Sequence, residues 1–340
     1  MSIKRNFAQS IPKSPAKRQL ELIGNPSQVI KKSNLTNHIQ CANHLLQKTI
    51  VKIDGAYAPS TIRAYRANFE RFISFCRDIS APALPSDSET VAKYIQTLTK
   101  SGLKSASIRL AIASISTIHK LNQLPDPTQL PAAKLELRRM HRTLGRASKQ
   151  AFGITEPILR KMLLAVENNP RGYRDRALLL LAYDSLCRRG ELTSIRLEDI
   201  EFNNAGFPLL LKIQKSKTDQ EASGKIIRLS DATSKAIKDW IESVQLIEGY
   251  LFRGLKNNSD ILAEIKPSQI NRIYKKLASR ANLPDDQIKN ISGHSFRVGG
   301  AQDLLASGAT LPLIMVKGRW SKPDTAMRYV EYVDPYVNIA

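Results

Sequence analysis

The residues best suited to chemistry lie in the second half of the chain. The run Ser292-Gly-His294-Ser-Phe-Arg297-Val-Gly-Gly places a histidine and an arginine three residues apart. On a helix that step is about one turn along one face, so both side chains could reach the same oxyanion. Arginine offers a planar fork that matches two phosphate oxygens. Gly293, Gly299 and Gly300 would permit close approach of backbone or ligand. Upstream stands Leu186-Cys187-Arg188-Arg189-Gly190-Glu191-Leu192, and Ser216-Lys217-Thr218 lies between the two runs. Downstream come Gly318-Arg319-Trp320 and, nine residues beyond the tryptophan, Tyr329. Arginines, a histidine, a lysine and a late tyrosine are the inventory that opening a phosphodiester needs. A phenolic oxygen can take the phosphoryl group and keep its bond energy for rejoining. Fixed guanidinium groups then meet the charge that grows on the non-bridging oxygens. Tyrosine, with a pKa of about 10, needs a proton acceptor or a strongly positive field to attack at neutral pH. The chain has no Gly-rich phosphate loop ending in Gly-Lys-Ser/Thr, no His-Glu-x-x-His, no Cys-x-x-Cys and no Gly-x-Ser-x-Gly, which argues against nucleotide hydrolysis, zinc chemistry and a serine triad.

Positioning these groups takes a scaffold, and the helical period supplies most of it. From Pro59, residues Ile62, Tyr65, Phe69, Phe72, Ile73 and Cys76 recur at three- and four-residue steps and share one stripe. Further helices are predicted over Val91–Leu98, Ser105–Leu121 and Leu135–Leu144, the last strongly basic. Residues 53–144 thus read as a small helical bundle, and 145–151 as a basic linker. Residues 1–52 read as a basic, partly disordered N-terminal arm, with only 36–52 open to helix formation. In residues 152–340, helices are predicted near Glu156–Glu167 and Tyr173–Leu186. Leu209–Ile213 and Lys225–Leu229 form a hairpin, and helical periodicity returns around Ile237–Val244 and Ile270–Leu277. The last helices cover about Ser295–Ser307, Leu311–Lys317 and Pro323–Tyr332. The predicted class is mainly α with a small antiparallel sheet (α+β).

Composition narrows the partner. The 340 residues hold 52 Lys and Arg against 30 Asp and Glu, a formal charge of +22, and such a charge points to a polyanion, first of all nucleic acid. The longest unbroken apolar run, Ala177–Tyr183, is far shorter than the roughly 20 residues that cross a bilayer, so no membrane partner is expected. The N-terminal Met-Ser-Ile-Lys-Arg-Asn lacks the pattern of a secretory signal. Cys41, Cys76 and Cys187, odd in number and widely spaced, suit a reducing intracellular compartment.

In their order and local phrasing these motifs resemble the tyrosine recombinase (phage integrase) family, most closely its Cre-like branch. The family pattern is an Arg followed three residues later by Glu, a hairpin Lys, His-x-x-Arg, a His or Trp, and a C-terminal Tyr. All of these occur here in order, and the resemblance spans residues 53–332, taking in Tyr57-Ala-Pro-Ser-Thr61 at the start of the bundle. It implies a C-shaped clamp on DNA, made of a core-binding bundle and a catalytic domain. It also implies strand cleavage and rejoining through a 3′-phosphotyrosyl intermediate, with no cofactor and no metal. The partners it implies are double-stranded DNA with an inverted-repeat site and three further copies of the chain, a tetramer exchanging strands through a Holliday junction. The setting would be the cytoplasm, at the nucleoid, with a prokaryotic, phage or plasmid origin.

Residue by residue, the resemblance implies that Tyr329 is the nucleophile, ahead of Tyr332 and Tyr336. Arg188, favoured over Arg189 by its spacing to Glu191, and Arg297 would clamp the phosphate. His294 would be the base or hydrogen-bond partner. Lys217, in competition with Lys212, Lys215 and Lys225, would protonate the departing 5′ oxygen. Trp320 would offer its indole N–H to the phosphate, and Glu191 would orient Arg188 or His294 without touching DNA. Candidates for reading DNA are Arg63, Arg66, Lys104, Ser107 and Arg109 on two bundle helices, Arg139 and Arg142 on the basic helix, and Ser268, Gln269 and Arg272 on a helix suited to a major groove. Other outcomes of the same sequence are a DNA-binding regulator without activity, or a type IB topoisomerase or telomere resolvase with the same pocket.

Overall fold

The structure of the protein, a computed structural model, describes residues 26–146, 150–213, 225–256 and 260–330, with the backbone alone for residues 26–36 and 330. The chain divides into two compact units, Met1–Ser148 and Lys149–Ala340.

In the first unit the described elements are helices: α1 (Pro26–Lys52), α2 (Pro59–Asp78), α3 (Ser88–Lys100), α4 (Ser105–Leu121) and α5 (Pro131–Leu144). Proline sits in the first turn of α2 and α5, where its missing N–H costs no intrahelical bond. Asp87 caps α3 by accepting from the Thr90 amide at 2.6 Å. The stripe on α2 buries Phe69, Phe72, Ile73 and Cys76 against Tyr94 and Ile95 of α3 and Ile108, Ile112, Ile115 and Ile118 of α4. Two polar groups are buried with their needs met. The His119 ring takes the Ser86 amide on Nε2 at 3.0 Å and lies 2.8 Å from the Ile115 carbonyl through Nδ1. Asp126 accepts from Ser116 and Thr128 and pairs with Lys120, and these contacts hold its carboxyl near pKa 2 against the opposing effect of burial.

The N-terminal arm needs correction. Helix α1 begins at Pro26, ten residues before the stretch that read as helical, and its second half is not an appendage. Ala42, Leu46 and Ile50 recur at four-residue steps and are buried in the bundle core, followed by Ile53. Asn122 at the end of α4 donates to Thr49 at 2.8 Å. The rib is interleaved with Asn, Gln, His and Thr and gives a weak helical signal, so the bundle takes in residues the arm was expected to hold. Residues 1–25 lie outside the described residues.

The second unit carries α6 (Glu156–Leu164), α7 (Pro170–Ser185), α8 (Arg189–Ser194), strands β1 (Ile200–Phe202), β2 (Pro208–Ile213) and β3 (Lys225–Arg228), then α9 (Asp231–Ser243), α10 (Pro267–Arg280), α11 (Asp285–Asn290), α12 (Ser295–Ala306), α13 (Leu311–Gly318) and α14 (Pro323–Val330). The sheet is antiparallel in the order β1-β2-β3, with Leu211 opposite both Ile200 and Ile227. Strand β1 was not anticipated, because three residues are too few to show a two-residue period. Helix α7 is the apolar run of the sequence, and Ala177, Leu178, Leu179, Leu181 and Ala182 are fully buried. A helix apolar on most of its circumference is surrounded by protein, and α9, α12 and α6 pack around it. The fold is therefore mainly helical with a small antiparallel sheet. Among the described residues no helix is long and apolar enough to cross a membrane, and no three acidic, His or Cys side chains converge as a metal site.

Candidate functional site

The site is assembled where α7 ends, α12 begins and α13 ends. After Ser185 the chain turns through Leu186 in the left-handed region, φ 49° and ψ 30°. A buried leucine there is uncommon and needs surrounding structure to hold it. Gly300 makes room for it: a Cβ at Gly300 would stand 2.4 Å from Leu186 Cδ2. The turn aims the Leu186 carbonyl at the Arg297 guanidinium, which donates from Nη1 at 2.6 Å and from Nη2 to the Gly318 carbonyl. Helix α12 is itself seated by backbone contact, because Gly299 leaves no space for a Cβ, which would fall 2.0 Å from the Ile154 carbonyl oxygen. The Ile154 amide donates to the Ser295 carbonyl at 2.9 Å, completing the join.

Arg188 stands at the start of α8, and Glu191 one turn on. Glu191 Oε1 accepts from Arg188 Nη1 at 2.7 Å, and Oε2 accepts from the Arg188 amide at 2.8 Å. Of the adjacent arginines, it is thus Arg188 whose guanidinium joins the carboxylate, while the side-chain stem of Arg189 packs beside Gly293. Burial would raise the Glu191 carboxyl. The Arg319 guanidinium, the Arg188 amide and the Arg188 side chain outweigh it and hold the group below the usual carboxylate range. His294 is the N-cap residue of α12 and is exposed, yet partial desolvation of its ring and the cations Arg297, Arg188 and Arg189 push its pKa down. At neutral pH the imidazole is therefore uncharged and able to accept a proton.

Arg297 is only 1% exposed. Burial and the Arg188 charge lower its pKa to about 10, so it remains a cation at neutral pH. Two rings cover it: Trp320 with its centroid 4.4 Å from Arg297 Cζ, and Tyr329 at 5.9 Å. The two rings lie 4.7 Å apart and tilted by 33°. Tyr329 is carried by α14, whose Ala326 joins Ala301, Ile314 and Trp320 in a small apolar cluster, and its carbonyl accepts from Gln150 at 3.3 Å. Three buried N–H donors, Arg297 Nε, Arg319 Nε and Trp320 Nε1, find no acceptor among the described residues. Buried donors of this kind are costly unless a ligand supplies the acceptor.

The structure thus brings Arg188, Glu191, Arg297, Trp320 and Tyr329 together, with His294 at the rim. His294 and Arg297, expected one turn apart on one helix face, differ in exposure: Arg297 is buried, while His294 is exposed at the start of α12. Lys217 lies outside the described residues, as do Lys215, Tyr332 and Tyr336, while Lys212 and Lys225 are exposed on β2 and β3. Arg319 was not singled out. Its neighbour Trp320 drew attention to the motif, but nothing in the sequence marks a charged residue beside it as buried. Asp303, which accepts from Tyr183 Oη at 2.6 Å and the Glu156 amide at 2.7 Å, was also missed.

Of the candidates for reading DNA, Arg63 and Arg66 are exposed on α2, and Lys104, Ser107 and Arg109 are exposed at and just after the start of α4. Arg139 and Arg142 are exposed on α5, with Arg139 paired to Glu136 at 2.9 Å. Ser268 and Arg272 are exposed on α10. Gln269 has a structural task there, since its Oε1 accepts from the Lys266 amide at the head of the helix.

Known proteins resemble this chain in sequence and in fold. The phage integrase family model matches residues 154–334, and the phage integrase N-terminal SAM-like domain matches residues 48–122. Recombinase cre of Escherichia phage P1 is 26% identical over 296 residues, covering 82% of this chain and 86% of its own. The integrase/recombinase xerD homolog of Selenomonas ruminantium is 26% identical over 322 residues, covering 89% of each. Among solved structures, the XerH site-specific recombinase bound to its palindromic difH substrate aligns with a TM-score of 0.62 at 17% identity, over 92% of this chain and 87% of that one, a likeness of fold. With more than half of its length matched by the family model and the family's residue types gathered in one pocket, the chain belongs to the phage integrase family and is a tyrosine recombinase.

Proposed function

We propose that the protein is a site-specific DNA recombinase that cuts and rejoins strands through a 3′-phosphotyrosyl intermediate. The observation that carries the reading is the position of Tyr329 in the same protomer as the arginines, its ring 4.7 Å from that of Trp320 and 5.9 Å from Arg297 Cζ. In the proposed reaction Tyr329 Oη attacks the scissile phosphorus, a phosphotyrosine bond forms and the bond to the 5′ oxygen breaks. His294 accepts the phenolic proton, and Lys217 delivers one to the departing 5′ oxygen. Arg188 and Arg297 hold the non-bridging oxygens, with the Trp320 indole N–H as a further donor. Since Arg297 is covered in the free chain, the phosphate reaches it as the two rings part. A 5′ hydroxyl from the partner strand then reverses the step, so no nucleotide or other cofactor is consumed.

Exposed cations and polar groups on α2, α4, α5 and α10 suit a duplex: Arg63, Arg66, Lys104, Ser107, Arg109, Arg139, Arg142, Ser268 and Arg272. The proposed assembly is a tetramer on two inverted-repeat sites, exchanging strands in pairs through a Holliday junction. The proposed setting is the cytoplasm of a prokaryote, or of the host of a phage or plasmid. Nicked suicide duplexes carrying the inverted repeats that flank the gene test the reading. A covalent adduct is expected with the wild-type chain and none with Tyr329→Phe. An adduct undiminished in that variant, or none with any duplex, refutes it.

A further inference from the structure

Arg319 ends α13 in the left-handed region, φ 54° and ψ 49°. A non-glycine residue held there costs on the order of 1 kcal/mol, so its side chain must be well anchored. It is buried to 7% exposure beside Glu191. Its Nη1 donates to the Ser185 carbonyl at 2.8 Å and its Nη2 to Glu191 Oε2 at 2.9 Å. The same Nη2 lies 3.4 Å from the Leu186 carbonyl and 3.5 Å from Cys187 Sγ. Two of these acceptors also serve the phosphate clamp. Glu191 is the carboxylate that holds Arg188, and Leu186 offers the carbonyl that holds Arg297. The geometry points to Arg319 as a positioning residue for strand cleavage, acting through Glu191 and the 185–187 turn to fix both clamp arginines.

The charge count supports the assignment. Among the described residues, Arg188 and Arg319 both pair with the carboxylate of Glu191 while Arg297 bonds only main-chain oxygens, so three guanidinium groups face one carboxylate and the pocket is net positive. Without Arg319, Glu191 would belong to Arg188 alone and would neutralise the cation that must meet the phosphate. The turn that aims the Leu186 carbonyl would lose the donor to Ser185 that braces it. Arg319 differs in this from a surface arginine, whose removal changes neither the direction nor the charge of other groups.

The inference rests on the proposed function of this site, and the test separates the two. The probe is a nicked suicide duplex on which the wild-type chain forms a Tyr329-dependent adduct. With the duplex saturating, Arg319→Met is expected to slow adduct formation by about 10- to 100-fold, the range for groups that orient a directly acting residue. Affinity for the duplex is expected to change less than threefold, a split that a loosened fold would not give. In a Glu191→Gln background the same substitution is expected to cost clearly less than in the wild type, because the part of its effect that runs through that carboxylate is already lost. A wild-type rate in Arg319→Met, or a loss that multiplies fully with Glu191→Gln, overturns the inference. Should Arg319→Met melt below the assay temperature, Arg319→Lys decides. Lysine keeps the charge and lacks the fork, so at least a threefold loss is expected, and a wild-type rate overturns the inference. No adduct from the wild-type chain, or an adduct in Tyr329→Phe, refutes the reading of the site itself.

Discussion

Glu191→Gln isolates the one carboxylate that, among the described residues, pairs with the arginines of the pocket. Its carboxylate accepts from Arg188 Nη1, the Arg188 amide and Arg319 Nη2, all within 2.9 Å. Glutamine keeps one acceptor oxygen and turns an N–H toward cations. Arg188, with its side chain 21% exposed, can recover water, whereas Arg319 at 7% cannot. The loss is therefore dominated by one buried pair, and removing one partner of such a pair costs about 3–5 kcal/mol. The retained amide oxygen argues for the lower end, about 3 kcal/mol. In a unit of this size each kcal/mol moves Tm by roughly 2–4 °C, so a fall of about 6–12 °C is expected. Both tryptophans, Trp240 and Trp320, belong to this unit, so indole fluorescence follows its melting without interference from the bundle. The pH dependence has a definite sign. Glu191 has a folded pKa below its ordinary value of 4.5, so its contribution is complete above that value and lost as pH falls through the folded pKa. The gap between wild type and variant should be constant at neutral pH and close in acid. A shift under 2 °C at pH 7, or a gap that persists in acid, refutes the account of Glu191 as the buried counter-ion.

Two further outcomes follow from packing and titration. Gly299→Ala would drive a methyl group into the Ile154 carbonyl, and backbone cannot swing aside as a side-chain tip can; a destabilisation of about 1–3 kcal/mol or more is expected from urea midpoints read by tryptophan fluorescence. In the bundle, burial lowers the His119 pKa below its ordinary value of 6.5, so its neutral form contributes stability that is complete above that pH and lost as pH falls below it. Hydrogen exchange at the Ser86 amide, bonded to His119 Nε2, should therefore accelerate between pH 7 and 5 relative to its intrinsic rate, and less so in His119→Gln.

What could be read from the sequence was whatever repeats or clusters along it. Helix α4 has the bounds its isoleucine rib suggests, Ser105–Leu121, because a four-isoleucine stripe leaves little choice of face. Arg188, Glu191, Arg297, Trp320 and Tyr329 could be named from local phrases, since each lies within a few residues of another marker. The inward turn of Arg297 could not, because it depends on two carbonyls 111 and 21 residues away along the chain. Arg319 was hidden for the same reason, its carboxylate partner being 128 residues distant. Helix α1 was masked by the uncharged polar residues, such as Asn37, Gln40, Asn43 and Gln47, that interrupt an apolar rib which only the packed bundle reveals.

The acceptors that hold Arg297 are peptide oxygens of Leu186 and Gly318, and the Ser185 oxygen anchors Arg319. No codon change deletes a main-chain oxygen. The cradle under these two arginines is thereby insulated from side-chain drift at two of those positions, 185 and 186, provided the turn keeps its path. Under the proposed function, the helices assigned to DNA can diversify toward new target sequences while the wiring of Arg297 and Arg319 is inherited unchanged.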